Sequence, residues 1–201
     1  MNTKQGIILV GIGLLLFCVF VGTASAKTWY VDDSGGADFT KIQDAVSAAG
    51  DGDTIIVRDG WYYETIVVNK SLTIRSENGS KKTHIEFGGV SEEKTYPLFN
   101  ITADFVNISG FGFHSTPECY NPAIHCRGNY CNISNNRIFT YKGIYLKNIQ
   151  HCTIANNKID VTAGYPSLRL ESSDYNIIIN NIINDYFGLI LDWGAPLLVY
   201  N

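Results

Sequence analysis

Basic charge is scarce in this sequence. Its 201 residues hold 15 Lys and Arg against 19 Asp and Glu, a formal net charge of −4. That deficit excludes nucleic acid as a partner, because binding a phosphate backbone needs a basic footprint. A long hydrophobic run is missing too. The apolar stretch Ile7–Val21 has 15 residues, short of the roughly 20 that a membrane-spanning helix requires. It follows Lys4 and precedes the small residues Thr23-Ala24-Ser25-Ala26. The arrangement reads as a secretory signal peptide over 1–26, cleaved after Ala26. An uncleaved anchor is the rival reading. Phe17, bulky where a small residue is wanted, makes Leu15–Cys18 a poor lipoprotein signal. Cleavage removes Lys4 and leaves 14 basic against 19 acidic residues, a net charge of −5. The expected product is one domain, 27–201, secreted or at the cell surface, with no stable membrane span.

Cysteine is sparse. Cys18 leaves with the leader, and Cys119, Cys126, Cys131 and Cys152 remain. An even number in an exported chain favours disulfides. The cysteines, with the nearby His114, His125 and His151, match no standard zinc or copper spacing, so no metal site is assigned. Five Asn-x-Ser/Thr sequons, at Asn69, Asn78, Asn100, Asn107 and Asn132, are candidate glycosylation positions.

What the chain does have is a repeat. "NISNNRIF" (Asn132–Phe139), "TIANNKID" (Thr153–Asp160) and "IIINNIIN" (Ile177–Asn184) share one template. Ile133, Ile154 and Ile178 form one column, and Ile138, Ile159 and Ile183 another. Asn136, Asn157 and Asn181 form a third. The spacings are 21 and 24 residues. Stepping back 25 residues reaches Ile108 and Phe113, with Gly110 and Phe111 in place of the Asn pair. A second alternating segment follows each octamer: Ala123–Cys126, Gly143–Leu146, Ser167–Leu170 and Gly188–Leu191. Period-two alternation marks strands. Units of 21–25 residues made of short strands and turns predict stacked coils, an all-β parallel β-helix with regular coils over 106–192. Stacking brings identical Asn side chains about 4.8 Å apart, which predicts an Asn ladder.

The amino-terminal part, 27–60, reads differently. "TWYV" predicts a strand. "FTKIQDAVSAA" (Phe39–Ala49) places Ile42, Ala45, Val46 and Ala49 on one helical face, with Thr40 or Asp38 as its N-cap and Gly50 and Gly52 beyond its end. Three β runs follow, with turns at Asp59-Gly60 and Asn69-Lys70. Ser80–Phe105 interrupts the period, with strands in "THIEF" and "PLFNIT" and a loop over Gly88–Lys94.

The stretch "DFTKIQDAVSAAGDGDTIIVRDGWYYETIVVNKSLTIRS" (Asp38–Ser76) resembles the opening of the right-handed parallel β-helix, or pectate-lyase-like, superfamily. It is similar above all to pectin methylesterases and to secreted surface proteins with β-helix repeats, the NosD-like group among them. The resemblance implies a single-stranded right-handed β-helix whose short N-terminal helix caps the core. It implies little about activity, since one superfold hosts many functions. The superfamily's lyases pair an Arg base with an acidic calcium cluster. Arg169 with Glu171, Asp174 and Asp192 is the nearest arrangement here, and calcium would be a cofactor only for a lyase. The "GxVDFIFG"-type nucleophile motif of the pectin methylesterases is missing. "GLILDWG" echoes it loosely, with Asp192 as the one possible nucleophile.

Outward columns are the remaining candidates. His125, Tyr145 and Arg169 form one, as ligand-binding residues for a polysaccharide or cell-surface glycan. Tyr145 would stack on a sugar, and Arg169 would hold a carboxylate bidentately. Arg127, Lys147, Glu171 and Asp192 form the next, with Lys147–Glu171 as a cross-strand ion pair. Cys131 and Cys152 share a column, either bridged or as stacked thiols, with Cys119–Cys126 as a weaker second pair. The preferred reading is a non-catalytic carbohydrate-binding or assembly module. A polysaccharide lyase, hydrolase or esterase with Arg169, Glu171 and Asp192 as catalytic residues is the alternative, and a metal-handling exported protein the second. After Leu191 no capping element is visible, so another chain, a second copy or Leu197–Tyr200 would cover that end.

Overall fold

The computed structural model describes residues 25–87, 96–115, 121–161, 164–184, 187–192 and 198–200. The proposed leader lies almost wholly outside them, as do Cys119 and the Gly88–Lys94 loop. Among the described residues no helix is long and apolar enough to cross a membrane.

Three parallel sheets run the length of the molecule. The first has eight strands: Thr28–Val31, Thr54–Val57, Thr73–Ser76, Asn107–Ser109, Asn132–Ser134, Thr153–Ala155, Ile177–Ile179 and Leu198–Tyr200. The second has six: Gly60–Tyr63, Thr83–Glu86, Gly112–His114, Arg137–Thr140, Lys158–Val161 and Ile182–Asn184. The third has six: Ile66–Val68, Phe99–Ile101, Pro122–Cys126, Lys142–Lys147, Leu168–Glu171 and Leu189–Asp192. The chain visits them in that order six times, so each coil contributes one strand to each sheet. Each octamer of the repeat spans two strands and the turn between them. Leu198–Tyr200 continues the first sheet beside Ile177–Ile179. Ser80–Phe105, which the pattern set apart, is in register with the rest. Ile85 pairs with Phe113, and Ile101 with Cys126.

Register follows the apolar columns. Ile133 pairs with Ile108 and Ile154, and Ile154 with Ile178. Ile138 pairs with Phe113 and Ile159, and Ile159 with Ile183. These columns point inward, and Ile108, Ile133, Ile154, Ile138 and Ile159 are fully buried. Each such side chain contributes about 1.5–3 kcal/mol by leaving water.

The two asparagines of each pair do different work. The first takes the left-handed backbone of the turn: φ is 58° at Asn135, 57° at Asn156 and 54° at Asn180. The second turns inward. Asn136 Oδ1 accepts from the Phe111 N–H at 3.0 Å. Asn157 Oδ1 accepts from both the N–H and the Nδ2 of Asn136, at 3.0 and 3.1 Å. Asn181 Oδ1 repeats this for Asn157, at 2.9 and 3.0 Å. The ladder therefore satisfies backbone N–H groups that the turn would leave orphaned in the core.

The helix is shorter than the pattern suggested, Ile42–Ala48, and its cap comes from elsewhere. Thr40 and Asp38 do not cap it. Asp38 accepts instead from the Tyr30 N–H at 2.8 Å. The Ile42 and Gln43 N–H groups donate to the Glu64 carboxylate, at 2.7 and 3.0 Å. At the other end Lys70 Nζ donates to the Val46, Ser47 and Ala49 carbonyls at 3.0, 2.8 and 2.6 Å. Both charges complement the helix dipole. They fasten the helix across the first coil, where Ile42, Ala45 and Val46 join the core.

Asn157→Ala removes the acceptor of a buried N–H and should lower stability by about 1–3 kcal/mol. Asn156→Gly, in the same pair, keeps the left-handed turn available and should leave stability nearly unchanged. Urea denaturation of both variants checks this; equal losses would contradict the division of labour.

Candidate functional site

The outward face of the third sheet gathers the residues singled out from the sequence. His125, Tyr145, Arg169 and Ile190 stand in register, and beside them Lys147, Glu171 and Asp192. A cleft of about 400 Å³ opens here, walled by Pro97, Pro122, Tyr165 and Pro166, with Lys142, His125, Tyr145 and Arg169 around it. Lys142 Nζ lies 4.5 Å from the Tyr165 ring centroid.

Stacking changes what these side chains can do. Tyr145 lies parallel to His125, with centroids 4.9 Å apart and planes 6° apart. Arg169 covers its other face, 5.3 Å from the ring centroid. Both faces of Tyr145 are taken, so it is not the sugar platform the alternation suggested. Arg169 is engaged as well. Its Nε donates to Asp192 Oδ2 at 2.6 Å, and its Nη2 lies 3.5 Å from Glu171 Oε2. It is not free to clamp a ligand carboxylate. Glu171 also accepts from Lys147 Nζ at 2.7 Å and from the Tyr145 hydroxyl.

The electrostatics follow. Lys147, then Tyr145, hold the Glu171 carboxyl below the usual range. The Asp192 carboxylate raises the Arg169 guanidinium further still. A general acid requires a raised carboxyl and an Arg base a lowered guanidinium, and both shifts here run the other way. His125 is held below the ordinary imidazole range by burial, then by Arg127 and Lys147. Its Nε2 is buried without a hydrogen-bond partner in the protein.

A second stacked column went unnoticed in the sequence. Phe105, Tyr130, His151 and Tyr175 lie in successive coils, each at a left-handed turn position, with φ between 54° and 59°. Their centroids are 4.9, 5.0 and 5.5 Å apart and their planes within 12°. The signal was available, because their spacings of 25, 21 and 24 residues are those of the Ile column. The rings cover one another's faces and present edges to solvent.

The next position of that turn holds Val106, Cys131, Cys152 and Asn176. Cys126, Cys131 and Cys152 are buried free thiols. The expected Cys131–Cys152 bridge is not formed. In-register parallel strands hold side chains side by side about 4.8 Å apart, wider than the roughly 3.8 Å Cβ separation of a disulfide. Each sulfur is otherwise occupied. The Cys131 N–H donates to Cys152 Sγ at 3.2 Å, and the Cys152 N–H to Asn176 Oδ1 at 2.9 Å. Sulfur thus takes the acceptor role that asparagine takes one coil later. Cys126 and Cys152 both donate to the Gly128 carbonyl, at 3.4 and 3.3 Å. Hydrogen bonding to Cys131 and Cys152, with burial, keeps the Cys126 thiol well above its usual range, hence neutral. Cys126 therefore has no bridge to offer Cys119, which lies outside the described residues. Of the sequons, Asn69, Asn78 and Asn132 are exposed. Asn100 and Asn107 are half-buried, bonded to Arg127 and Thr73.

No protein-family profile matches the chain. A stretch of 123 residues, 60% of the chain, is 37% identical to a cell surface glycoprotein of Methanothermus fervidus. It spans 16% of that relative's length. Among solved structures, a pectin methylesterase in complex with a hexasaccharide superposes with a TM-score of 0.50 at 14% identity, over 81% of this chain and 68% of that one. A mutant pectin methylesterase with another hexasaccharide gives 0.50 at 12%, over 83% and 82%.

Two histidines give the pH dependence a sign. His114 is lowered by burial, then by His84 and Arg137, and His125 is lowered as described. The unfolded chain binds their protons near pH 6.5, and the folded chain resists them. Stability is therefore full above that range and falls as pH drops through it. Thermal unfolding should weaken between about pH 7 and 5, and His125→Phe, which keeps the ring stack, should flatten the decline. A rise in stability on acidification would contradict this.

The coil order, the stacked columns and the superposition agree: the chain is a right-handed parallel β-helix, the fold it shares with the pectin methylesterases.

Proposed function

We propose that the protein is an exported, cell-surface β-helix module that binds polysaccharide at the third-sheet cleft and does not cleave it. One observation carries the reading. The Glu171 and Asp192 carboxylates are bonded to Lys147, Tyr145 and Arg169, while the cleft beside them stays open. Locked carboxylates cannot serve as acid or nucleophile without breaking the network. Pro97, Pro122, Pro166 and Tyr165 offer apolar walls suited to the C–H face of a sugar ring. Lys142 and the unpartnered His125 Nε2 supply polar contacts. Such a mixture of apolar walls and few polar groups is typical of small-ligand sites. The surface location draws support from the likeness to a cell surface glycoprotein, and the ligand class from the hexasaccharides held by two β-helix neighbours. The exposed Asn69, Asn78 and Asn132 are the proposed glycan attachment positions. A carbohydrate esterase is the second reading, favoured by the neighbours' shared fold, with Asp192 as its nucleophile.

The two readings separate in one assay. The purified chain is incubated with neutral and uronate polysaccharides, native and methyl-esterified. Retention, new chain ends and released methanol are recorded. Retention without either product is expected, weakened several-fold by Tyr165→Ala. Product formation that Asp192→Asn abolishes would overturn the proposal in favour of the esterase.

A further inference from the structure

Away from that cleft, on the outward face of the second sheet, two histidines converge. His84 lies on Thr83–Glu86 and His114 ends Gly112–His114, one coil later. Their Cα atoms are not direct partners: His84 faces Gly112, and His114 faces Glu86. The two imidazoles meet because Gly112 has no side chain. A Cβ there would lie 2.8 Å from His84 Nδ1 and 3.4 Å from His114 Nε2. Both nitrogens thus point into the space above one glycine, 3.1 Å from each other.

We propose that His84 Nδ1 and His114 Nε2 form a two-histidine site for a borderline divalent transition cation such as zinc. Two nitrogens 3.1 Å apart, each about 2.05 Å from a shared ion, subtend an angle of about 98° at it. That falls between the octahedral and tetrahedral values, so a cis pair of ligands is already spaced. Imidazole is a favoured ligand for zinc, copper and nickel. Trp61 braces the pair. It stacks on His84, with centroids 4.3 Å apart and planes 23° apart, and lies 5.2 Å from the His114 ring. A metal-bound imidazole carries positive charge, which the indole face stabilises. Burial and the Arg137 guanidinium keep His114 in the neutral, ligating form. A recess of about 440 Å³, lined by Ser80, Lys81, Arg137 and Phe139, leaves room for water or an anionic co-ligand on the open positions. Among the described residues no group of three or more His, Cys, Asp or Glu side chains converges as a cage, so the site is one of two protein ligands. Binding needs both converging nitrogens free of protons. It therefore weakens as pH falls through the imidazole range.

The site is independent of the glycan reading and has its own test. Zinc is titrated into the purified full chain near neutral pH by calorimetry, and histidine side-chain ¹H–¹⁵N spectra are recorded in parallel. The expected result is saturable binding of one ion per chain, with the resonances of His84 and His114 shifting together. His84→Ala and His114→Ala should each weaken binding by more than about tenfold, the loss that even an outer-shell partner can cause. Trp61 fluorescence should respond to copper in the parent chain and not in either variant. Where a variant fails to fold, the parent spectra decide. Absence of saturable binding at millimolar zinc, or shifts confined to His125 and His151, overturns the proposal. So does undiminished affinity in a folded His84→Ala/His114→Ala double variant.

Discussion

Everything in this molecule depends on one constraint: each coil lies in register on the coil before it, at the inter-strand spacing of about 4.8 Å. Once register is set, each position along the coil becomes a column. Inward columns of Ile and Phe make the core continuous, with no layer able to stand alone. Columns at turns meet a stricter demand, because their backbone groups face the interior without strand partners. Asn136, Asn157 and Asn181 answer it by passing side-chain hydrogen bonds from coil to coil. Cys131, Cys152 and Asn176 answer it in the neighbouring turn, with sulfur and amide oxygen in the same acceptor role.

The same constraint governs the surface. A flat side chain on an outward column has its faces covered by the residues above and below. Tyr145 between His125 and Arg169 shows this, as do the four rings Phe105, Tyr130, His151 and Tyr175. Charged side chains are likewise drawn to partners one coil away, as Arg169 is to Asp192 and Lys147 to Glu171. Stacking therefore tends to satisfy an outward column internally. Ligand chemistry is left to places where stacking is interrupted. The cleft beside Tyr165 and Pro166 lies where a long turn departs from the coil. The His84–His114 pair lies where Gly112 leaves a gap in its column.

Much of the fold could be read directly from the chain, because column membership is a matter of spacing. Ile133, Ile154 and Ile178 align by counting, and so do His125, Tyr145 and Arg169, and the structure keeps both alignments. Ser80–Phe105 escaped because a long loop between two strands of one coil hides the period without disturbing the register. The helix cap escaped because Glu64 lies 22 residues beyond the Ile42 N–H it accepts from, while local pattern offers only Thr40 and Asp38. At the candidate site the residues were legible and their roles were not. Spacing places Tyr145 beside Arg169, but only side-chain geometry shows that each occupies the binding surface of the other. His84 and His114 sit on different registers, so no column count brings them together.

The central claim is that the carboxylates of the third-sheet face are committed to structure rather than catalysis. The most direct test is the titration of the Glu171 carboxyl, followed by ¹³C NMR in the intact protein. The account predicts a midpoint below the ordinary glutamate range, with the bonds from Lys147 and Tyr145 breaking only as that proton binds. A midpoint raised to about 6, where a carboxyl can act as a general acid near neutral pH, would contradict it.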